Sequence, residues 1–342
     1  MRIAVVSSPV TALRPAQIGG AQAFICDLAR GLTERGHDVT LHCVEGSQVD
    51  GVKLVTVTAP PDAGAALVMP GGSQPPSAPG VVAALGQMFQ MIRSLDVDVV
   101  SQHAFDAPAL ELARGLPVLH TLHLPPIVAR MVEAARQVPA RALATVSRSC
   151  QAQWSGAGVD VERVLPNGVA DIGVESAPPS RSALIAGRIS PEKGIEHAIA
   201  ASRSAGMVVR LAGAHYDPAY VVDFHEVEML GSLARDELRR VMAASGVTVC
   251  AVRWEEPFGM VAAEAQMAGC PVAAYRRGAL PEVVEEGVSG FLAEPDDVAD
   301  LAVAINHCLA LDRATVRASA QSRLGLDDAL DRYEAALSHV AR

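Results

Sequence analysis

VTVCAVRWEEPFGMVAAEAQMAGCPVAAY runs from Val247 to Tyr275 and reads as one complete strand–helix–strand unit. Val247–Val252 is a short, β-branched apolar run, suited to a strand buried on both faces. Pro257 and the apolar residues after it set a helix that begins near Phe258 or Gly259. Cys270–Tyr275 is a second short strand. Two short apolar strands joined by a helix imply a parallel pair with a crossover. Within this apolar stretch stand two carboxylates eight positions apart, Glu256 before the turn and Glu264 inside the helix.

The same alternation extends outward in both directions. Arg2–Ser8 is a strand, a glycine turn follows, and Phe24, Leu28 and Leu32 line one face of a helix stopped by Gly36. Val39–Val44 completes that unit. Val97–Gln102, Pro117–His123 and Ala142–Ser147 are further strands with helices between. Ala59–Gly80 is rich in Pro and Gly and is expected to be a mobile loop. Val164–Arg181 breaks into Pro, Gly and Ser and is the expected linker. Beyond it, strands at Ser182–Arg188, Met207–Gly213 and His225–Gly231 alternate with helices at Gly194–Ala205 and Ala234–Ser245. A chain of 342 residues with this pattern implies two α/β domains, each a doubly wound parallel sheet. Such sheets bind ligands at the carboxyl ends of their strands, so two of them imply a cleft.

Bulk composition narrows the partners. The net charge of −10 argues against nucleic acid and against electrostatic attachment to an anionic membrane. The six cysteines are scattered without a Cys-x-x-Cys pair, as expected of reduced, mostly buried thiols in a cytoplasmic protein. The start, MRIAVVSSPV, has too short an apolar run for a signal peptide, and no apolar stretch is long enough to cross a membrane.

Chemistry-bearing residues gather after the strands of the second half. The first N–H groups of the helix at Gly259, Met260 and Val261 have no intrahelical acceptor and form an anion site, most naturally for phosphate. Glu256 lies just before this helix end and Glu264 about a turn and a half inside. A diphosphate at the helix end would place a sugar hydroxyl near Glu256 and a ribose near Glu264, since ionised carboxylates accept from hydroxyls. The alternative is a solvated Glu256 and a structurally paired Glu264. Arg188 and Lys193 follow the strand Ala183–Ala186, where a planar fork and a point charge suit a diphosphate. The alternative is two surface cations near a turn.

Several of these pieces occur in the order found in one enzyme family. GRISPEKG (Gly187–Gly194), EMLGSLARDEL (Glu228–Leu238), EEPFGMVAAEAQMAGCPV (Glu255–Val272) and RRGALPEVVEEGVSGFL (Arg276–Leu292) resemble retaining family 4 glycosyltransferases of the GT-B fold. LPNGV (Leu165–Val169), the segment Ile18–Val39 and HTLH (His120–His123) are similar to that family's N-terminal half. The Ala-rich chain is also similar to glycosyltransferases of avilamycin-type oligosaccharide-antibiotic pathways. The resemblance implies an acceptor-binding domain at 1–168 and a nucleotide-sugar domain at 169–322. The helix at 323–342 would return to the first domain.

The resemblance also implies roles for residues. Glu264 would accept the ribose hydroxyls of a nucleoside-diphosphate sugar, and Glu256 would meet the donor sugar. Phe258, Gly259, Met260 and Val261 would line sugar and phosphate, and Arg188 and Lys193 would neutralise the leaving diphosphate. Gly19 and Gly20 would close on that diphosphate, His123 would contact the donor sugar, and Met229 and Leu230 would lie near the base. UDP is the first expectation for the nucleotide and GDP the second. The acceptor would be a small molecule or an oligosaccharide, and neither a metal nor a cofactor is expected. Retention would follow from the departing phosphate oxygen taking the acceptor proton on the same face, with the protein positioning and stabilising charge. Two departures stand out: the Gly-Asp-Gly turn of the family is LAGAHYDP here (Leu211–Pro218), and its aspartate after Asn-Gly-Val is Ala170.

Other readings have a weaker basis. Asp96–Asp98 mimics a metal-binding Asp-x-Asp but opens a strand, where a capping role is expected. His120 and His123 point to opposite faces of a strand, without a third ligand. Val81–Leu95 is expected to be a core-facing helix. A nucleotide-sugar epimerase of the same fold, needing no acceptor, and a non-catalytic sugar-nucleotide-binding protein remain as alternatives. A dinucleotide dehydrogenase is disfavoured, because no Gly-x-Gly-x-x-Gly follows the first strand.

Overall fold

The computed structural model describes residues 1–14, 19–66, 78–173, 179–216 and 219–341. These fall into two units. One takes the chain up to Pro166 together with the residues from Asp327 onward; the other is Asn167–Leu326, with which the short segment ending at Gly20 groups. The divisions fall a few residues from the expected 168 and 322.

The first unit holds β1 (Arg2–Val6), α1 (Gly20–Glu34), β2 (Asp38–Val44), β3 (Lys53–Val57), α2 (Pro79–Ser94), β4 (Val99–Gln102), α3 (Ala107–Leu112), β5 (Val118–Leu122), α4 (Ala129–Ala135), β6 (Leu143–Thr145), α5 (Arg148–Gly156) and β7 (Arg163–Val164). Its seven strands are all parallel, in the order β3-β2-β1-β4-β5-β6-β7. The direction of winding therefore reverses between β1 and β4. Val81, Leu85, Met88, Phe89 and Ile92 of α2 are buried against Ala4, Val6 and Val100, so this helix faces the core. Asp96 and Asp98, which precede β4, pair with the Arg2 side chain, as a strand-capping role requires. Of the Pro- and Gly-rich stretch 59–80, residues 67–77 lie outside the described residues; Ala63–Ala66 is a 3₁₀ turn and α2 begins at Pro79.

The second unit holds β8 (Ser182–Ala186), α6 (Ile195–Ser204), β9 (Val208–Ala212), β10 (Val227–Gly231), α7 (Arg235–Ala244), β11 (Val247–Cys250), α8 (Met260–Met267), β12 (Val272–Tyr275), α9 (Leu280–Val283), β13 (Gly290–Ala293), α10 (Val298–Cys308) and α11 (Arg313–Leu324). Its strands are again all parallel, in the order β10-β9-β8-β11-β12-β13, with the reversal between β8 and β11. Ile185, Val209, Leu211, Val249 and Ala273 face Ile195, Ile199, Leu301 and Ile305 in one core. Asp297 caps α10 by accepting from the N–H groups of Ala299 and Asp300.

The final helix, α12 (Leu326–Val340), lies against the first unit from Asp327 onward. Arg35, just beyond α1, pairs with Asp331 and Glu334, and His37 bonds Glu334 at 2.7 Å. Tyr333 is fully buried and donates to Thr121 Oγ1 at 3.3 Å. None of the six cysteines forms a disulfide among the described residues, and five of them are buried.

Candidate active site

In a doubly wound sheet the strand reversal opens a crevice at the carboxyl ends of the two central strands. In the second unit those strands are β8 and β11. The loop after β8 carries Arg188 and then a 3₁₀ turn, Pro191–Lys193. The loop after β11 carries Trp254 and Glu256 and leads into α8. Residues singled out from two separate motifs thus meet at one reversal.

The centre of this group is an ion pair. Lys193 Nζ lies 2.7 Å from Glu256 Oε2, and Trp254 Nε1 donates to the same oxygen at 2.8 Å. Lys193 also lies 5.3 Å from the centre of the Trp254 ring, within cation–π range. Both charged side chains are largely buried, at 19% and 12% exposure, so neither is a solvated surface charge. Burial and the Glu256 charge push the neighbouring Cys250 thiol up to about 12, leaving it protonated.

Arg188 does not join that pair. Its Nη2 bonds Glu192 Oε1 at 3.2 Å, an oxygen that also accepts from Ser190 Oγ at 2.7 Å. Its guanidinium lies 4.9 Å over the Tyr216 ring. Tyr216 belongs to the segment that departs from the family's Gly-Asp-Gly turn; Asp217 and Pro218 lie outside the described residues. The two cations are therefore held by different partners.

The Glu256 loop is locked by backbone chemistry. Gly278 has φ +60°, and a Cβ there would strike the backbone of Glu256. Ala279 N–H donates to the Glu256 carbonyl at 2.8 Å, and Gly278 N–H to Glu255 Oε2 at 3.1 Å. Gly259 then turns the chain into α8 at φ +98°, a conformation open chiefly to glycine. Its Cβ would also sit 2.9 Å from Leu280 Cδ2. Phe258 and Met260 are buried, and Val261 is half-buried. The helix begins at Met260, so its first N–H groups remain available to an anion.

Glu264 is held elsewhere. Its Oε1 accepts from Arg235 Nε at 2.6 Å and from Arg239 Nη2 at 3.2 Å, both from α7. Arg239 is 1% exposed and also bonds the Ala170 carbonyl at 2.6 Å. Both arginine bonds fall on one oxygen, and among the described residues none falls on Oε2. The eight-residue spacing is thereby explained. Glu256 takes its cation from the loop after β8, and Glu264 takes two from α7. Met229 and Leu230 lie in the second half of β10, where the pairing with β9 shifts register before Gly231.

Gly19 lies in the loop before α1 and Gly20 opens that helix, in the segment that groups with the second unit; in the first unit His123 directly follows β5. His123 is 5% exposed and bonds His103 at 2.9 Å. Arg235, Arg239, Trp254, Tyr216 and His103 are absent from the sequence reading. Arg235, Trp254 and Tyr216 do sit in quoted stretches, Glu228–Leu238, Val247–Tyr275 and Leu211–Pro218, but no role attaches to them there. Among the described residues no cluster of three or more His, Cys, Asp or Glu could hold a metal ion, and no helix is long and apolar enough to cross a membrane.

Residues 174–324 match the family described as "Glycosyl transferases group 1", and residues 18–171 match "Glycosyltransferase Family 4". A D-inositol 3-phosphate glycosyltransferase of Mycobacterium sp. (strain KMS) is 40% identical over 94 residues, which are 28% of this chain and 21% of that protein. The match thus spans about a fifth of that relative's length. Among solved structures, AviGT4, a glycosyltransferase involved in avilamycin A biosynthesis, is 22% identical with a TM-score of 0.72, covering 99% of this chain and 97% of that one. Anabaena Alr3699/HepE, solved in complex with UDP-glucose, is 21% identical with a TM-score of 0.76, covering 98% and 99%. At these identities the likeness to the two structures is one of fold: two Rossmann-like parallel-sheet domains of the GT-B class.

Proposed function

We propose, for a chain that carries group 1 and family 4-like glycosyltransferase domains, that it moves a sugar from a nucleoside-diphosphate sugar to an acceptor hydroxyl with retention at the anomeric carbon. The observation that carries this reading is the Lys193–Glu256 pair beside the start of α8, at the reversal of the second sheet. A phosphate oxygen at the helix start would share Lys193 with Glu256, and Arg188 would meet the diphosphate from the same loop. Glu264, whose Oε1 is engaged by two arginines, would offer Oε2 to the ribose hydroxyls. Glu256 and His123 would contact the sugar, and Met229 and Leu230 the base.

In this mechanism the residues act by positioning and charge. As the glycosidic bond to the diphosphate breaks, negative charge grows on the leaving oxygen, and Lys193, Arg188 and the α8 N–H groups stabilise it. That oxygen takes the proton of the acceptor hydroxyl, so no protein carboxylate need form a glycosyl intermediate. No metal is required in this scheme. UDP is the first choice of nucleotide, in keeping with the UDP-glucose complex of the Anabaena neighbour, and GDP the second. The acceptor would be a small molecule or oligosaccharide of the kind that antibiotic pathways decorate, and the reaction would be cytoplasmic.

The test is a set of thermal melts with UDP, GDP, ADP and dTDP, each with and without EDTA. Ligand at ~100 times its dissociation constant adds about 2.7 kcal/mol, enough to move Tm by a few degrees. A shift with one nucleotide, unchanged by EDTA, is the expected result. No shift, or one that needs a divalent metal, overturns the reading. Product analysis with and without acceptor separates transfer from epimerisation.

A further inference from the structure

At the reversal of the first sheet three side chains form a buried line. Ser101 Oγ, on β4, lies 2.8 Å from His103 Nε2. His103 Nδ1 lies 2.9 Å from His123 Nε2. His123 Nδ1, at the end of the line, is buried and has no hydrogen-bond partner among the described residues. The two imidazole rings lie 5.2 Å apart, with Phe24 and Tyr333 packed around them.

The direction of the protons along this line follows from what each group must satisfy. Ser101 is fully buried, and His103 is its one side-chain partner among the described residues. Whichever way the protons run, one donor is left over, the Ser101 hydroxyl or His123 Nδ1–H, at a cost of about 1–3 kcal/mol. Ser101 is sealed within β4, whereas His123 follows β5 at the carboxyl end of the sheet, where water or a ligand can supply the acceptor. The hydroxyl proton therefore goes to His103 Nε2. That nitrogen is then an acceptor, and a neutral His103 carries its proton on Nδ1. His103 Nδ1–H donates to His123 Nε2, which leaves the proton of His123 on Nδ1. Burial keeps both rings neutral: His123 is pulled down to about 4 and His103 well below its ordinary value. His42 and His120 also leave Nδ1 without a partner; the Thr40 hydroxyl lies 3.2 Å from His42 Nε2, but neither histidine is joined to a second ring as His123 is to His103.

We infer that Ser101 and His103 are positioning residues that fix His123 in the Nδ1–H tautomer, so that His123 presents a donor to a ligand oxygen. The ligand's chemical class, a sugar hydroxyl or ring oxygen, rests on the proposed function; the tautomer needs only an acceptor of any class, water included, at His123 Nδ1. A donor with no partner in the protein is costly unless a ligand supplies the acceptor, and a hydroxyl-rich molecule supplies it in abundance.

The test reads the tautomer directly, by long-range ¹⁵N–¹H correlation of the histidine rings, with His123 assigned by its loss in His123→Gln. The expected wild-type spectrum has His123 protonated at Nδ1, the minority form of a free neutral imidazole. Ser101→Ala should turn it into a mixture of the two forms. His103→Phe should do the same and lower kcat/KM about tenfold, the size of one lost hydrogen bond. His103→Asn, whose amide N–H can replace the Nδ1 donor, should keep both the tautomer and kcat/KM within about threefold. A wild-type His123 protonated at Nε2, or a tautomer unmoved in Ser101→Ala and His103→Phe, overturns the inference. The spectra need no sugar donor, so a wild-type protein without transferase activity would refute the proposed reaction while the tautomer still decides this one.

Discussion

The two strand reversals of this chain are built from one topology and opposite chemistry. At β8/β11 the loops carry Arg188, Lys193, Glu192 and Glu256, joined in ion pairs and stacked on Tyr216 and Trp254. At β1/β4 and the neighbouring β5 the loops carry Ser8, Asp106, His103 and His123, joined by hydrogen bonds between neutral or weakly charged groups. Even Asp106 has its carboxyl raised by burial, and it is bonded by Ser8 rather than by a cation. The parallel sheet supplies a place for chemistry. The residues after each strand decide whether that place suits an anion or a set of hydroxyls.

The contrast should be widest under acid. His42, His120 and His123, all in the first unit, have values lowered to about 4 by burial, and burial also holds His103 well below its ordinary value. Because the unfolded chain binds these protons near 6.5, the stabilisation is complete above pH 6.5 and is lost as pH falls toward 4. The loss amounts to up to about 3 kcal/mol for each histidine. In the second unit Asp296 and Asp312, lowered by Arg277 and Thr315, matter only below their ordinary carboxylate range. Each unit holds one of the chain's two tryptophans, Trp154 and Trp254. In Trp254→Phe, emission from Trp154 should therefore report melting of the first unit, at a Tm that falls steeply between pH 6.5 and 4. A flat Tm over that range would remove the claim that the first unit's polar core is neutral.

Next in size is Glu264→Ala, which leaves the buried guanidinium of Arg239 without its carboxylate. The expected cost is about 3–5 kcal/mol in denaturant unfolding. Nucleotide binding should weaken more than turnover slows. If Glu264→Ala is as stable as wild type, the α7 arginines are not what holds α8 in place. Lys193→Ala and Arg188→Ala come third, each lowering kcat by about 10²–10³ with the fold intact. Near wild-type turnover in either would leave the charged reversal without its assigned role. Smallest is Gly278→Ala, expected to cost about 1–3 kcal/mol for the left-handed backbone and the collision with Glu256. Its Tm should fall less than that of Glu264→Ala, and the reverse order would place the rigidity of the site in this loop.

Sequence periodicity was sufficient for the architecture because parallel strands buried on both faces are short, apolar and bounded by turn residues. It failed where that rule relaxes. β3 (Lys53–Val57) is an edge strand with partly exposed residues, β7 is two residues long, and β13 reads Gly-Phe-Leu-Ala. At the site, Arg188, Lys193, Glu256 and Glu264 stood out because local motifs flag charges after strands. Their partners did not. Arg239 meets Glu264 across 25 positions, and such pairings follow from how helices pack, which no local window contains. His103 was silent for the same reason: its meaning depends on His123, one strand away in space and 20 positions away in sequence.

The last helix gives the chain an unusual order of assembly. α12 supplies Leu330, Tyr333 and Leu337 to the interior of the first unit and pins Arg35 through Asp331 and Glu334. On a ribosome, those residues emerge only after all of Asn167–Leu326 has been made. The domain begun first is therefore finished last, and its half-built core must wait, with the faces of α1 and β5 that Tyr333 will cover still wet. Nascent chains of this protein should accordingly recruit holding chaperones until α12 has emerged, and moving residues 327–341 ahead of Met1 by circular permutation would let the first domain close while the second is still being synthesised.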